Sequence, residues 1–168
     1  MPRHLYGLWG RGGKWSASLR PPSDTYRTVD ADAADRVGTL LLEAYRGTID
    51  YRDETLDEMK QEARGFFDAK YGAPLLDACL VHEVDDQLVA AALFCDWNEP
   101  DAVVAGPLVA YALVHPDYRG KGHGIAIVNA ALSRLAAAKW GRVYAVITEG
   151  NVPSEQLFAR LGFARLPM

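Results

Sequence analysis

Cysteine is scarce in this sequence, which argues against a fold held together by disulfides or by thiolate-bound metal. Its two cysteines, Cys79 and Cys95, match no metal-binding spacing. We therefore expect two buried free thiols in a reduced, cytoplasmic protein. The first segment, MPRHLYGLWGRGGKW, contains no long apolar core, so we expect no secretory signal peptide.

Long apolar runs and an excess of positive charge are also absent. No stretch approaches the roughly 18 apolar residues that a membrane span needs. The net charge of −4 is not that of a nucleic-acid-binding surface, so we expect neither membrane nor nucleic acid as a partner. What is present is an ordinary globular composition, with 49% apolar and 24% charged residues. A chain of 168 residues forms one domain that buries about 70% of the surface exposed on unfolding.

The distribution of apolar residues predicts a mixed α/β fold with a central sheet flanked by helices. Helical spacing and helix-end signals alternate with short runs of β-branched and aromatic residues. We assign strands to 25–29, 77–84, 87–97, 106–114, 142–148 and 163–168, and helices to 30–45, 53–72, 125–141 and 152–162. The pair Asp85-Asp86 predicts a tight hairpin turn. This order indicates a sheet that is antiparallel at first and parallel later.

The residues before this domain predict an extra N-terminal hairpin. Residues 5–19 form two apolar runs, LYGLW and KWSASL, around the glycine loop GRGG, and RPPSD then breaks the chain. We therefore divide the chain into a hairpin extension, 1–24, and a main domain, 25–168. Since a bare sheet edge invites aggregation, we expect the hairpin to cover an edge or a partner subunit, as in a homodimer.

The segment HPDYRGKGHG (115–124) carries glycine at every second position between a strand-like and a helix-like run. Glycine adopts positive φ and lets a ligand approach the backbone. The start of the helix offers unpaired N–H groups and the positive end of its dipole, and Arg119 and Lys121 add positive charge. A tight turn alone needs only one glycine, so the pattern favours a phosphate or pyrophosphate bound by main-chain amides.

Two common phosphate-binding loops do not match this turn. A Walker A loop places Ser or Thr directly after its Gly-Lys, whereas Gly122 follows Lys121 here. A Rossmann fingerprint needs G-x-G-x-x-G, whereas Gly120, Gly122 and Gly124 form G-x-G-x-G. A nucleotide-binding regulator that uses another kind of loop is one hypothesis that these residues leave open.

Two motifs together resemble the GNAT superfamily of acyl-CoA N-acyltransferases. VHPDYRGKGHG (114–124) fits the family pattern Val-x-Pro-x-Tyr-Arg-Gly-x-Gly-x-Gly between a strand and a helix. One strand later, NVPSEQLFARLGF (151–163) resembles Asn-x-x-Ala/Ser followed by Leu-Tyr-x-x-x-Gly-Phe. The resemblance extends from about residue 25 to the C-terminus. It implies a GNAT-type fold and an acyl-CoA N-acyltransferase.

The resemblance also implies a binding site for acetyl-CoA, the acyl donor, and no metal. The main-chain amides of the turn would hold the pyrophosphate, and the edge of the preceding strand would pair with the pantetheine arm. The arm would fill a gap where that strand splays from 142–148, and Asn151 would bond to it. The residues assigned to acetyl-CoA in this way are Ala112, Leu113, Val114, Arg119, Gly120, Lys121, Gly122, His123, Gly124, Asn151, Ser154 and Phe158. Asn151 is also placed to cap the following helix.

The sequence departs from the family at the positions that usually transfer protons. The position where a tyrosine usually protonates the leaving thiolate is Phe158, and a phenyl ring has no proton to donate. Val109 and Val146 stand where family members often carry a carboxylate. Tyr111 is a weak catalytic candidate, and the other candidates are Asp96, Glu83 and Glu149. A core role for Tyr111 and a solvated surface position for the three carboxylates are the alternatives.

The sequence leaves several classes of acceptor open. Family members usually build the acceptor pocket from the first two helices and their loop, here residues 45–58, which are rich in acidic residues. These residues attract a cationic amine or simply begin a helix. We expect an acetyl-CoA-dependent N-acetyltransferase that acts by direct attack of a primary amine, on a small molecule or a peptide. A non-catalytic acyl-CoA-binding or sensing module is the alternative.

Overall fold

The computed structural model of the protein describes residues 1–10, 25–98 and 104–167. The elements in these ranges are β1 (Arg3–Trp9), β2 (Arg27–Thr28), α1 (Ala34–Tyr45), α2 (Leu56–Phe67), β3 (Ala73–Pro74), β4 (Leu80–Val84), β5 (Gln87–Trp97), β6 (Gly106–Val114), α3 (His123–Ala137), β7 (Arg142–Thr148), α4 (Val152–Arg160) and β8 (Ala164–Arg165). They form the predicted mixed α/β fold, a central sheet flanked by helices. None of the helices in these ranges is long and apolar enough to cross a membrane.

The sheet has the strand order β2-β4-β5-β6-β7-β1-β8, and the short β3 pairs with β5. Every neighbouring pair is antiparallel except β6 and β7, which are parallel. β6 and β7 stay paired over only two positions, Leu108 with Tyr144 and Val109 with Ala145. Beyond these pairs the two strands separate, and the separation opens a gap in the middle of the sheet.

Two apolar cores lie on opposite faces of the sheet. The core under α1 and α2 receives Ala91, Leu93 and Cys95 from β5, and the core under α3 and α4 receives the alternate residues Ala92 and Phe94. Successive strand residues face opposite sides, so a strand buried on both faces needs an unbroken apolar sequence. This requirement accounts for the run LVAAALFC in β5.

Local signals fix most of the turns. Asp85 and Asp86 take φ values of 49° and 62°, as a two-residue hairpin turn requires, which confirms the predicted β4–β5 hairpin. The predicted second helix is too long, because α2 ends at Phe67 and not at Gly72. Ala69 takes φ 65°, and the amide of Lys70 donates to the carbonyl of Gly65, a left-handed helix end.

The first strand lies inside the central sheet. β1 runs antiparallel to β7 along its whole length, from Arg3 opposite Thr148 to Trp9 opposite Arg142. Its other edge pairs with β8, which has only two residues. β1 thus covers the edge of β7 within the same chain and lies between β7 and the short last strand, β8. The second half of the predicted hairpin lies outside the described residues.

Candidate functional site

A cavity of about 780 Å³ opens between the splayed strands and the α1–α2 side of the sheet. Its walls come from the two strands at their separation, from α2 and the loop before it, and from the first turns of α4. β1 contributes Arg3. The cavity therefore joins the gap in the sheet to a pocket lined by charged side chains.

The gap between β6 and β7 is the end of the cavity nearest the glycine turn. Val146 is 41% exposed although β7 lies in the interior of the sheet, because β6 no longer covers it. Ala112 lines the cavity, and Leu113 and Val114 carry β6 on to the turn. Val114 also supports the next helix, since a Cβ at Gly124 would lie 3.3 Å from its side chain. The strand edge assigned to the pantetheine arm thus borders open space.

The glycine turn presents its backbone to solvent at the start of α3. Gly120 and Gly122 take φ values of 73° and 84°, and no atom lies within 4 Å of a Cβ placed on either residue. No acceptor in the described ranges bonds to the main-chain amides from Gly120 to Gly124. Unpartnered amides at a helix N-terminus, with open space in front of them, form a site that fits a phosphate or pyrophosphate.

Side chains hold the turn in place from both ends. The Arg119 guanidinium donates to the carbonyl of Ala44 at the end of α1 (2.5 Å), while its amide donates to Pro116 (3.3 Å). Nε2 of His115 donates to the Glu43 carboxylate (2.9 Å), since Nδ1 accepts from the Asp117 amide. The turn is therefore anchored to α1, the helix beside the cavity.

Two other side chains of the turn lie at its surface. Nζ of Lys121 reaches the Asp117 carbonyl at 3.4 Å. The His123 ring stacks on His82 of β4, with centroids 5.5 Å apart. Partial burial, followed by the nearby His82 and Lys121, lowers the pKa of His123 below its ordinary value. His123 is therefore a neutral imidazole at the start of α3 at neutral pH.

Asn151 makes two contacts at the start of α4. Its Oδ1 accepts from the Ser154 amide (3.2 Å), so the predicted helix cap is present. Its Nδ2 donates to Oδ2 of Asp50, in the α1–α2 loop, at 2.7 Å. Asn151, Ser154 and Phe158 all line the cavity, so three residues assigned to acetyl-CoA meet there. Asn151 thereby connects the side of the cavity assigned to acetyl-CoA with the α1–α2 loop, which the sequence assigns to the acceptor.

Glu62 of α2 is the centre of a polar cluster in the cavity wall. Its Oε1 accepts from the hydroxyls of Tyr71 and Tyr111, the second at 2.5 Å, and its Oε2 accepts from Nζ of Lys70 at 2.6 Å. Burial raises the pKa of Glu62, but the hydrogen bonds from Lys70, Tyr111 and Tyr71 outweigh it and hold the pKa below its ordinary value. Glu62 is thus a fixed anion whose two oxygens are already occupied.

Tyr111 lines the cavity, as a catalytic candidate must, but its environment makes it a poor acid. Burial, together with its hydrogen bond to the Glu62 carboxylate, raises the pKa of its phenol far above the ordinary value. Since a thiol has a pKa of about 8.5, proton transfer from this phenol to a thiolate is strongly unfavourable. A positioning role for its hydroxyl fits the geometry better.

The three carboxylate candidates do not line the cavity. Glu83 pairs with Arg27 and Arg36 at 2.7 Å each, and Glu149 lies 3.6 Å from Nε2 of His4. Asp96 lies near the end of β5, opposite Ala73 and Pro107. In the described part of the chain, no group of three or more His, Cys, Asp or Glu side chains could hold a metal ion.

The cavity contains more negative than positive side chains. The acidic residues are Asp50, Glu54, Glu58 and Glu62, and the basic ones are Arg3 and Arg52. Two of the acidic side chains also organise the loop: Glu58 forms a capping box with Thr55, and Glu54 accepts from the Arg52 amide at 2.7 Å. Glu54 and Glu58 therefore both organise the start of α2 and line the cavity. A field of this sign attracts a cationic amine.

Sequence reasoning missed Glu62 and Arg3. Glu62 follows Met59 by three residues and precedes Phe66 by four, so it lies on the same face of α2 as these buried side chains. A glutamate within an apolar stripe was the available signal. Arg3 carried no such signal, because its place in the cavity depends on the pairing of β1 with a strand made much later in the chain.

Comparison with known protein families gives a match over most of the chain. Residues 36–163 match the family described as the acetyltransferase (GNAT) family. A relative from Pseudomonas paraeruginosa, named L-methionine sulfoximine/L-methionine sulfone acetyltransferase, is 30% identical over 138 residues. The match covers 80% of this chain and 77% of the relative. The protein of the same name from Pseudomonas aeruginosa matches with the same identity and coverage.

Solved structures of low sequence identity share the fold. A ribosomal-protein-alanine N-acetyltransferase from Brucella melitensis has a TM-score of 0.64 at 19% identity, covering 84% of this chain and 85% of its own. AAC(6')-Iy, solved with the bisubstrate analog CoA-S-monomethyl-acetylneamine, has a TM-score of 0.59 at 13% identity, covering 85% and 92%.

Proposed function

Because the chain belongs to the acetyltransferase (GNAT) family and is an acetyltransferase, we propose that it transfers an acetyl group from acetyl-CoA to the primary amine of a small acceptor. The observation that carries this proposal is the continuity of the cavity. One space extends from the gap between β6 and β7, which borders the assigned donor residues, to the acidic pocket beside α2. Two reactants bound in one space react without a bimolecular encounter.

The donor side of the proposal rests on main-chain groups. The amides from Gly120 to Gly124 are without acceptors in the described ranges and would hold the pyrophosphate. The free edge of β6 near Ala112 would bond to the pantetheine arm, and Asn151 would contact it from α4. Bound acetyl-CoA would supply the acetyl thioester in the cavity.

The acceptor side rests on the carboxylates. Asp50 has one oxygen bonded to Asn151, and its Oδ1 has no donor among the residues described. This oxygen is open to an ammonium group, and it can take the proton that the amine loses before attack. Glu62 accepts three hydrogen bonds and its pKa is lowered, so it adds attraction and is a poor base for the amine proton. The thiolate leaves without an acid from Phe158.

Release of free thiol from acetyl-CoA, measured over a panel of amines, tests this function. The panel contains L-methionine sulfone and L-methionine sulfoximine, on which the Pseudomonas relatives are named to act, together with an aminoglycoside, an alanine-starting peptide and a polyamine. We expect acetylation of at least one amine, confirmed by the mass of the product. If acetyl-CoA binds but no amine is acetylated, the sensing-module alternative replaces this proposal.

A further inference from the structure

We propose that Arg3, on the first strand, binds the carboxylate of an α-amino acid acceptor and so selects this class of amine. This inference rests on the proposed function and specifies its acceptor. Arg3 lies outside the matched family region, 36–163, and reaches the cavity only because β1 pairs with β7.

Arg3 is placed on the acceptor side of the sheet. It alternates along β1 with His4, and it shares a face with Leu5, which packs against the core under α1 and α2. Its pairing partner Thr148 also lines the cavity. Its charge is close enough to Tyr45, at the end of α1, to oppose the increase in that hydroxyl's pKa caused by burial and Asp50. Arg3 and Asp50 thus act on the same hydroxyl.

Arg3 has no carboxylate partner within the ranges that the structure describes. Among the carboxylates that line the cavity, Glu62 binds Lys70, and one oxygen of Asp50 binds Asn151. A guanidinium that faces a cavity without a partner can receive a planar, bidentate anion. A strand fixes such a group more firmly than a loop does, which distinguishes Arg3 from Arg52.

The two charge signs in one cavity match a zwitterion. An α-amino acid carries an ammonium and a carboxylate on the same carbon, and its ammonium must approach the thioester to react. The open oxygen of Asp50, beside Asn151, would hold the ammonium near the gap in the sheet. Arg3 would then hold the carboxylate from the β1 side. A simple amine or a polyamine would leave the Arg3 charge without a partner.

The test compares an amino acid with its neutral analogue in wild type and in variants of Arg3. The probes are L-methionine sulfone and its carboxamide, which keeps the amine and the length but loses the negative charge. In Arg3→Gln we expect KM for the acid to rise about 10- to 100-fold, as for the loss of one charged hydrogen-bonded pair, with a much smaller change for the carboxamide. Arg3→Lys should recover part of the loss because it keeps the charge.

Two matched variants separate binding from folding and from the other arginine. Arg142→Gln removes an arginine at the opposite end of the β1–β7 pair, outside the cavity, and should leave both values of KM unchanged. Arg52→Gln removes the loop arginine and should not discriminate between the two probes. Equal changes for acid and carboxamide in Arg3→Gln, or a selective loss in Arg52→Gln instead, would overturn the assignment of Arg3.

The inference and the function on which it rests fail in different ways. If simple amines or the carboxamide are acetylated as efficiently as the acid, the protein is an N-acetyltransferase but Arg3 is not a carboxylate-binding residue. If no amine is acetylated, both the proposed function and the proposed role of Arg3 are wrong.

Discussion

At the scale of single residues, Phe158 bears on how the thiolate would leave in the proposed transfer. Its ring is 5% exposed, lines the cavity and packs edge-on against Phe163 at 5.1 Å. It cannot donate a proton, and Tyr111 is unsuited to do so because its phenol is buried against Glu62. A thiol with a pKa of about 8.5 leaves tolerably as the thiolate near neutral pH. We infer that departure of the thiolate proceeds with solvent or the amine proton as its acid.

Phe158→Tyr should therefore raise the turnover number if thiolate departure limits the rate. The new hydroxyl would face the cavity, and general acid catalysis typically contributes about 10²–10⁴-fold. The affinity for acetyl-CoA should stay nearly constant. The matched control is Phe163→Tyr, which adds a hydroxyl to the partner ring outside the cavity wall and should only lower stability. Steady-state kinetics decides this, and a lower kcat in Phe158→Tyr would count against the role of position 158.

The individual residues of the site differ in how far the sequence reveals them. The glycine turn and Asn151 are local motifs, so their spacing alone gives their place at helix starts. Glu62 and Asp50 need the packing of α2 and its loop against the sheet, and only then does Glu62 meet Tyr111 across 49 positions of the chain. Arg3 needs the complete sheet. Local chemistry could be predicted, whereas contacts between distant segments could not.

At the scale of elements, the start of α3 combines the proposed pyrophosphate site with a titratable ring. His123 is the first residue of the helix, beside the unpartnered amides. His82 stacks on its ring, Tyr118 meets its edge at 5.8 Å, and Lys121 adds positive charge. Partial burial, His82 and Lys121 lower the pKa of His123 in the free protein. A bound pyrophosphate would favour the protonated ring and raise its pKa.

We predict that the affinity for CoA increases as pH falls from 8 to 6, partly because His123 takes up a proton on binding. The pKa of His123 is low in the free protein and higher with an anion beside it, so binding is strengthened in the window between the two values. One unit of pKa difference corresponds to about a tenfold gain in affinity. Calorimetry at several pH values measures this gain.

His123→Asn should flatten the pH dependence relative to wild type, because the phosphates of CoA titrate equally in both proteins. His4→Asn is the control, since His4 lies on β1 beside Arg165 and Glu149, away from the turn. An unchanged pH slope in His123→Asn would show that the anion does not bind beside this ring.

The elements also show where local signals are sufficient. The Asp85-Asp86 turn and the Thr55–Glu58 capping box specify their conformations through a few neighbouring residues. The sequence predicted the end of α2 too late because glycine is the usual residue after a helix, and Gly72 is the nearest one. In the structure the left-handed residue that ends the helix is Ala69. The mixed sheet itself follows from the order of apolar runs. The position of β1 does not, because many antiparallel partners suit an isolated strand.

At the scale of the whole molecule, β1 lies between β7 and β8 and connects the last strand to the rest of the sheet. It pairs with β7 over seven positions and with β8 over two, and Leu5 and Leu8 pack on opposite faces. The short β8 has no other partner among the described strands. Removal of β1 therefore exposes the edge of β7 and releases the last strand as well.

Deletion of residues 1–10 should thus lower the melting temperature strongly and cause association through the exposed β7 edge. The variant Arg3→Gln, which keeps the strand, is the control and should stay at the wild-type mass. Thermal unfolding and light scattering measure both effects. A truncated protein with unchanged mass and melting temperature would contradict the role of β1 as an integral strand.

The pairing of Arg3 with Thr148 also has a consequence during synthesis. β1 is translated before α1, but its partner β7 follows only after α3, which at bacterial or eukaryotic elongation rates takes on the order of ten seconds. Until then its apolar side chains are exposed on the nascent chain. Closing the sheet between such distant segments costs loop entropy before any contact is gained, so this step should be slow. We therefore expect completion of the sheet, and with it entry of Arg3 into the cavity, to be the last event of folding.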